Sequence, residues 1–246
     1  MRGGVSSSTN ENSLAADPYR ALPRLHGSER GNLTDAVEEA LRAAIVNLAL
    51  EPGMMIDKLA VCERMGVSRF PVSSALAKLA AAGLVEVLPQ RGTRVMPIVM
   101  HDIRQHLFIR SALEVETVRT LAVACDATTL DALDANLERE HDAVQQGLRR
   151  EFHVLDLAFH ALLLDAIDLP RVKEIVAASR NALDRARRLM ASPERHAHTL
   201  AEHRRIADAI RKRDGEAAAR AMHDHLDEVV AELRRFSAER PDLFRE

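Results

Sequence analysis

Residues 66–85 read GVSRFPVSSALAKLAAAGLV, and this stretch decides the fold. Gly66 and Val67 form a tight turn, and Ser68 stands where its hydroxyl would cap the free amides of a helix that begins at Arg69. Pro71 falls in the first helical turn, where its missing N–H costs little. Val72, Ala75, Leu76 and Leu79 recur at i, i+3, i+4 and i+7, giving one buried stripe, and Gly83 occupies the place of a left-handed terminating residue.

The flanks extend the motif. Residues 57–65, DKLAVCERM, predict a second short helix capped by Asp57 and joined through the glycine turn, which makes a helix-turn-helix. After Gly83, LVEVLPQRGTRVMP predicts strands over 84–88 and 93–96 that turn at Pro89–Gly92, the wing. Upstream, Leu33, Val37, Leu41, Ala44, Ile45 and Leu48 keep helical spacing over 32–50, and Pro52-Gly53 ends the run. A winged helix-turn-helix domain over 28–97 follows.

The spaced set Pro52-Gly53, Ala60, Gly66–Arg69, Pro71-Val72, Ala75-Leu76, Leu79, Gly83–Val85 and Gly92–Val95 resembles the GntR family of bacterial transcription regulators. The resemblance implies a homodimer reading a palindromic operator in double-stranded DNA. Two departures matter: Phe70 stands where many members carry Thr, and Val72-Ser73-Ser74-Ala75-Leu76 replaces a Val-Arg-Glu-Ala-Leu run. The exposed face therefore lacks a central arginine for a bidentate guanine contact. Expected DNA contacts are Lys58, Arg64, Ser68, Arg69, Phe70, Ser73, Lys78, Arg91, Gly92 and Thr93, with Arg69, Ser73 and the wing residues Arg91 and Thr93 carrying more of the load.

A length of 246 residues suggests one or two domains, and 3% aromatics with no tryptophan requires a core of Leu, Ala, Val and Ile, a composition that favours helix. The net charge of −3 argues against a nonspecific nucleic-acid coat. Between Arg64 and Arg94, however, five basic residues (Arg64, Arg69, Lys78, Arg91, Arg94) face Glu86 alone, which focuses positive charge on the motif. Cys62 and Cys125 show neither pairing nor metal spacing and are expected reduced and packed. No apolar run reaches membrane-spanning length and no signal peptide is evident, so a soluble cytoplasmic protein is expected. Residues 1–27 lack periodicity and are expected to form a disordered tail, with Arg20 and Arg24 as the only charges for a groove-binding arm.

Beyond Pro97 the pattern is helical throughout. Amphipathic segments are predicted near 100–124, 128–148, 151–167, 170–190, 194–212 and 215–237, giving an all-α domain over 98–240 in a mainly α protein. Its length and helix count resemble the FCD effector domain of the FadR-type GntR subgroup.

Asp156 and His160 lie one turn apart on the apolar face of their helix, a costly position unless something pairs them, and spaced to chelate one ion. His203 aligns with Ile206 and Ile210, and His225 with Met222 and Val229, so both point inward, whereas His223 faces solvent. The segments AFH (158–160), EHRRI (202–206) and MHDHL (222–226) resemble the metal-holding motifs of FCD domains, which implies Asp156, His160, His203 and His225 as ligands of Zn²⁺, or of Ni²⁺, Mn²⁺ or Fe²⁺. Each histidine alone also reads as a hydrogen-bonded core residue. Arg110 shares an inward stripe with Ile103, Leu107, Thr117 and Leu121; it either receives a small carboxylate effector or braces the bundle through an i, i+4 pair with Glu114. Asn181 and Arg185 are further pocket candidates, although the run Arg185, Arg187, Arg188 also reads as a solvated face.

These features point to a ligand-responsive regulator, a repressor of a metabolic or transport operon sensing an organic or sugar acid beside the metal. Two alternatives stay open: a regulator for which the metal is the signal, and a metal-dependent hydrolase, for which no general base or nucleophile motif is evident.

Overall fold

The computed structural model describes residues 17–25 and 30–246. Helix α1 (Arg30–Val46) is followed by strand β1 (Met55–Ile56) and helices α2 (Lys58–Met65) and α3 (Arg69–Ala81). Strands β2 (Val85–Leu88) and β3 (Gly92–Val95) complete the wing. Asp57 caps α2 by accepting from the Leu59 and Ala60 amides, and Gly66 ends it at φ 69°, the left-handed conformation that lets α3 start at once. Ser68 sits at the cap position of α3 but makes no side-chain cap bond, contrary to the expectation from sequence. Its hydroxyl is exposed at the start of α3.

The winged-domain sheet has the order β1-β3-β2, all antiparallel, with Leu88 opposite Gly92 and Met55 opposite Arg94. Strand β1 escaped the sequence reading because two residues carry no periodicity. Val37, Leu41, Ile45, Val61, Met65, Val72, Leu76, Leu79, Val85 and Val95 form the core beneath it.

The expected disordered tail needs correction. Residues 1–16 and 26–27 of it lie outside the described residues, but Pro18–Ala21 form a 3-10 turn that buries Tyr19 and, after it, Leu22 in the winged-domain core. The Tyr19 hydroxyl accepts from the Asp57 amide at 2.7 Å. Two apolar side chains and a buried hydrogen bond offset the ordering cost that the polar composition around them implied.

Six helices follow: α4 (Met100–Ala124), α5 (Ala127–Gln145), α6 (Arg149–Asp165), α7 (Pro170–Met190), α8 (Pro193–Arg211) and α9 (Gly215–Glu239). Their bounds fall within a few residues of those predicted. Helix α4 runs through the bundle against α7, α8 and α9, and α5 packs on α6 and α8. The core is aliphatic with three phenylalanine or cysteine insertions, Cys125, Phe152 and Phe159; both cysteines are free thiols. One feature of this half is not helical: β4 (Ile98–Val99), in the linker, pairs in parallel with β5 (Phe244–Arg245) at the carboxy-terminal end.

Candidate metal centre and nucleic-acid interface

Helices α6, α8 and α9 bring His160, His203 and His225 together in the middle of the bundle. Each side chain is at most 1% exposed, and one ring nitrogen from each lies within 4.8 Å of the others. The helical stripes explain the convergence: on each helix the histidine shares its face with core residues such as Leu163, Ile206 and Val229.

The other nitrogen of every ring is taken. Nδ1 of His203 lies 2.9 Å from Glu140 Oε2, Nδ1 of His225 lies 2.7 Å from Glu202 Oε2, and Nδ1 of His160 meets Glu114 Oε2. An ionised carboxylate only accepts, so each Nδ1 carries the proton and donates it. Nε2 is then a bare lone pair, and all three Nε2 atoms are buried without a partner among the described residues. Burial drives the His225 imidazolium down to about 4, and burial together with the Arg180 charge holds His160 well below its usual range. Both rings are neutral near pH 7, the form that binds a metal. Phe159 stacks on His203 with centroids 4.0 Å apart and fixes that ring further.

Three convergent imidazole lone pairs, each backed by a carboxylate, fit a divalent cation, since ligating histidines usually donate their second nitrogen to such a partner. Asp156, the fourth expected ligand, stands apart from the trio. Its Oδ1 is 3.8 Å from His203 Nε2, while Arg187 donates to Oδ1 at 2.6 Å and Arg180 to Oδ2 at 2.7 Å. Burial alone would raise the Asp156 carboxyl, but the two guanidiniums hold it well below the usual carboxylate range.

Arg110 combines both readings offered by its sequence. Its Nε donates to Glu114 Oε1 at 2.6 Å, and its two terminal nitrogens are buried with no partner. Arg180 likewise leaves Nε and one terminal nitrogen unpartnered, and burial, aided by the nearby Arg110 charge, lowers it to about 9. Buried guanidinium donors of this kind call for an anion. Arg185 is not among them: it donates to the Met96 carbonyl in the interdomain linker, away from the centre. The side chain of Asn181 lies outside the described residues. Arg187, read from sequence as part of a solvated run, instead reaches the centre through Asp156. Beside Asp156 and Arg187 a cavity of about 320 Å³ opens toward the surface.

The sequence did not single out Glu140, Glu202 or Arg180. Glu114 was visible only as a partner for Arg110.

On the winged domain, Ser68, Arg69, Phe70, Ser73, Arg91 and Gly92 are exposed, and Lys58 is half-buried. Gly92 takes φ 106°, and a β-carbon there would crowd the Met55 side chain, so its part is to shape the wing. Three expected contacts need revision. Thr93 is fully buried and faces the core, so it cannot reach DNA. Arg64 donates to the carbonyls of Leu22 and Arg20 and clamps the amino-terminal segment. Lys78 pairs with Asp35 at 2.5 Å and Glu38 at 3.4 Å, although at an exposed site such pairs are weak and exchangeable for phosphate. Arg94 pairs with Glu86. Among the described residues, Lys58, Arg69 and Arg91 have no carboxylate partner, and the free charge of the motif narrows to these three.

Comparison with known proteins matches two families: bacterial regulatory proteins of the gntR family over residues 33–95, and the FCD domain over residues 105–228. The HTH-type transcriptional repressor RspR of Escherichia coli (strain K12) is 34% identical over 210 residues, spanning 84% of this chain and 91% of that protein. An HTH-type transcriptional regulator in an unstable DNA locus of Streptomyces ambofaciens is 35% identical over 212 residues, 83% of this chain and 86% of that protein. The solved structure of E. coli McbR/YncC superimposes with a TM-score of 0.61 at 19% identity, covering 82% of this chain and 97% of that one, a likeness of fold.

Proposed function

We infer, for a chain that belongs to the gntR family of bacterial regulatory proteins, carries an FCD domain and is a DNA-binding transcription regulator rather than an enzyme, that a small carboxylate bound beside a divalent metal sets its affinity for DNA. One observation carries this reading: three buried imidazoles, each oriented by its own glutamate, each with a lone pair that nothing among the described residues satisfies. His160, His203 and His225 would hold the ion, with Asp156 as the adjoining donor; nitrogen-rich ligation suits Zn²⁺, and Ni²⁺, Mn²⁺ and Fe²⁺ accept the same set. When bound, the ion supplies a positive centre for a carboxylate oxygen.

The chain's own residues do the rest. Arg110 and Arg180 present buried N–H groups to the carboxylate, and Glu114 holds both Arg110 and His160 in position. Arg187 and Arg180 keep Asp156 ionised. The dry surroundings strengthen each of these contacts and select an anion over its neutral analogue.

Two copies of the chain, joined as a homodimer, present paired α3 helices to the halves of a palindromic operator. The effector acts by binding one arrangement of the winged domains better than the other. Repression is the direction supported by the similarity to RspR, which is named a repressor.

The test is a thermal-shift and gel-shift screen of metal-loaded protein against small organic and sugar acids, repeated with His203→Ala and Arg110→Ala. An acid that stabilises the protein and releases its own promoter DNA only when both residues are present is the expected result. Release that follows free metal concentration and ignores every acid would make the metal itself the signal.

A further inference from the structure

The cavity beside Asp156 and Arg187 is walled by both domains. From the bundle come Arg149, Arg150, Arg187, Arg188 and Arg195; from the winged domain come Asn47 and Leu48, just past the end of α1. Leu48 holds φ 61°, a conformation that β-carbon sterics disfavour and that surrounding structure must enforce. The turn is thus held at the cavity wall at some local cost, and the wall it forms belongs to the domain that reads DNA.

The arginines of this cavity are not equivalent. Arg187 is committed to Asp156, Arg195 to Glu202 and Glu232, and Arg188 approaches Asp184 at 3.8 Å. Arg149 and Arg150, at the rim where α6 begins, have no carboxylate within 4.0 Å among the described residues. Inside the cavity, one terminal nitrogen of Arg187 and Nε of Arg188 are buried without partners. Among the described residues, only Asp156 and Glu232 line it with negative charge. Positive charge therefore runs from the deep end to the rim, further than one carboxylate group extends.

We propose that the effector is an acid with two anionic groups, one at the deep end, where Arg187 and Arg180 meet on Asp156 beside the metal centre, and the other at the rim between Arg149, Arg150 and the Asn47–Leu48 turn, so that the ligand itself bridges the helical and winged domains. This deepens the effector reading above and rests on it. A bridging ligand gives the coupling a direct route: the affinity difference between domain arrangements arises from contacts that exist only in the arrangement that keeps the Asn47–Leu48 turn at the rim. A monoacid fills the deep end and leaves the rim arginines unpaired, so it binds more weakly and couples poorly.

The absence of tryptophan offers a clean reporter, because Asn47→Trp gives the chain a single indole, placed at the rim. Metal-loaded wild-type protein, Asn47→Trp and the double variant Arg149→Ala/Arg150→Ala are titrated with succinate, glutarate and adipate and with the chain-matched monoacids butyrate, pentanoate and hexanoate. The expected result is about tenfold tighter binding of the best diacid than of its monoacid, one added charge-assisted pair's worth. The double variant brings that ratio to about one and leaves monoacid affinity unchanged, and the emission of the introduced indole changes with the diacid alone. Equal binding of diacid and monoacid by the wild type, or an indole silent to a bound diacid, overturns the bridge and leaves the carboxylate reading standing. No binding by any of the six acids overturns both.

Discussion

Glu140 Oε2 accepts from His203 Nδ1 at 2.9 Å, and both side chains are fully buried although 63 residues separate them in the chain. The glutamate also accepts from Asn136 Nδ2 at 3.0 Å, which is itself tied to the Leu155 carbonyl. His203 is thereby held from two neighbouring helices in one tautomer and one orientation. Glu140→Gln keeps the shape but replaces an ionised acceptor with an amide whose nitrogen can face the ring. Metal affinity is expected to fall about 10- to 100-fold, the usual effect of losing such a partner. Competition titration against a chelator of known affinity measures it, and an unchanged affinity would reduce Glu140 to a packing role.

Metal removal tests the centre as a whole. With the ion gone, three lone pairs remain buried in mutual contact, and stability that depended on ligation is lost. At free Zn²⁺ about 100-fold above its dissociation constant, linkage adds about 2.7 kcal/mol. For a chain of this size that is a melting shift of roughly 5–10 °C. Chelated wild-type protein should lose the shift and recover it with Zn²⁺, whereas His203→Ala should show none in either state.

Much of this centre was legible in the sequence, and the reason is periodicity. His160, His203 and His225 betray themselves because a polar side chain recurs where only Leu, Ile or Val is expected, and the six long helices repeat that stripe many times. The carboxylates behind them were harder to see. Glu140 and Glu202 lie on helices whose pairing cannot be read from one sequence, and an inward glutamate is indistinguishable from a surface one until its partner's position is known. Tyr19 and Leu22 hid for a different reason: three residues apart in a polar stretch, they offer too short a pattern to set against the composition around them. The two-residue strands β1, β4 and β5 are shorter than any alternation that sequence can display.

Arg185 joins the domains. Its guanidinium donates to the Met96 carbonyl at 2.5 Å, just before β4, and burial lowers it to about 10 without abolishing its charge at neutral pH. Arg185→Ala removes a charge-assisted bond from a half-buried carbonyl, at a cost of about 1.5–3 kcal/mol. Because that bond anchors the linker, amide exchange at Val99 and its neighbours is expected to accelerate while the amides around His203 stay protected. Uniform acceleration across both domains would show that Arg185 merely contributes to global stability.

Thr93 and Arg91 separate the two roles that one wing can hold. Thr93 is fully buried and its hydroxyl has no partner, so Thr93→Val should leave DNA affinity unchanged and stability the same or higher by about 1 kcal/mol. Arg91, exposed and without a carboxylate partner among the described residues, should behave oppositely. Arg91→Ala is expected to weaken binding to all sequences alike and to lower the slope of log affinity against log salt by about one for each chain bound. Urea melts and gel shifts at several salt concentrations give both answers, and a loss of DNA binding in Thr93→Val would put the wing in a different orientation from the one seen here.

Phe70 is 78% exposed on the second residue of α3, the most exposed large apolar side chain of the winged domain. Its neighbours on that face, Ser73 and Ala77, are small, and nothing among the described residues covers the ring. An apolar group at a major-groove surface has one apolar feature to meet there, the thymine methyl. Selection of bound duplexes from a random library with full-length protein should therefore return sites with thymine at a fixed position. In such a site, replacing that thymine by uracil removes only the methyl. Wild-type affinity should drop several-fold, and Phe70→Ala should drop by a similar factor on the thymine site while becoming indifferent to the change. If Phe70→Ala still distinguishes thymine from uracil, the methyl is read by another side chain. If no thymine is selected, the ring meets the sugar-phosphate edge, and its removal should weaken all sites equally.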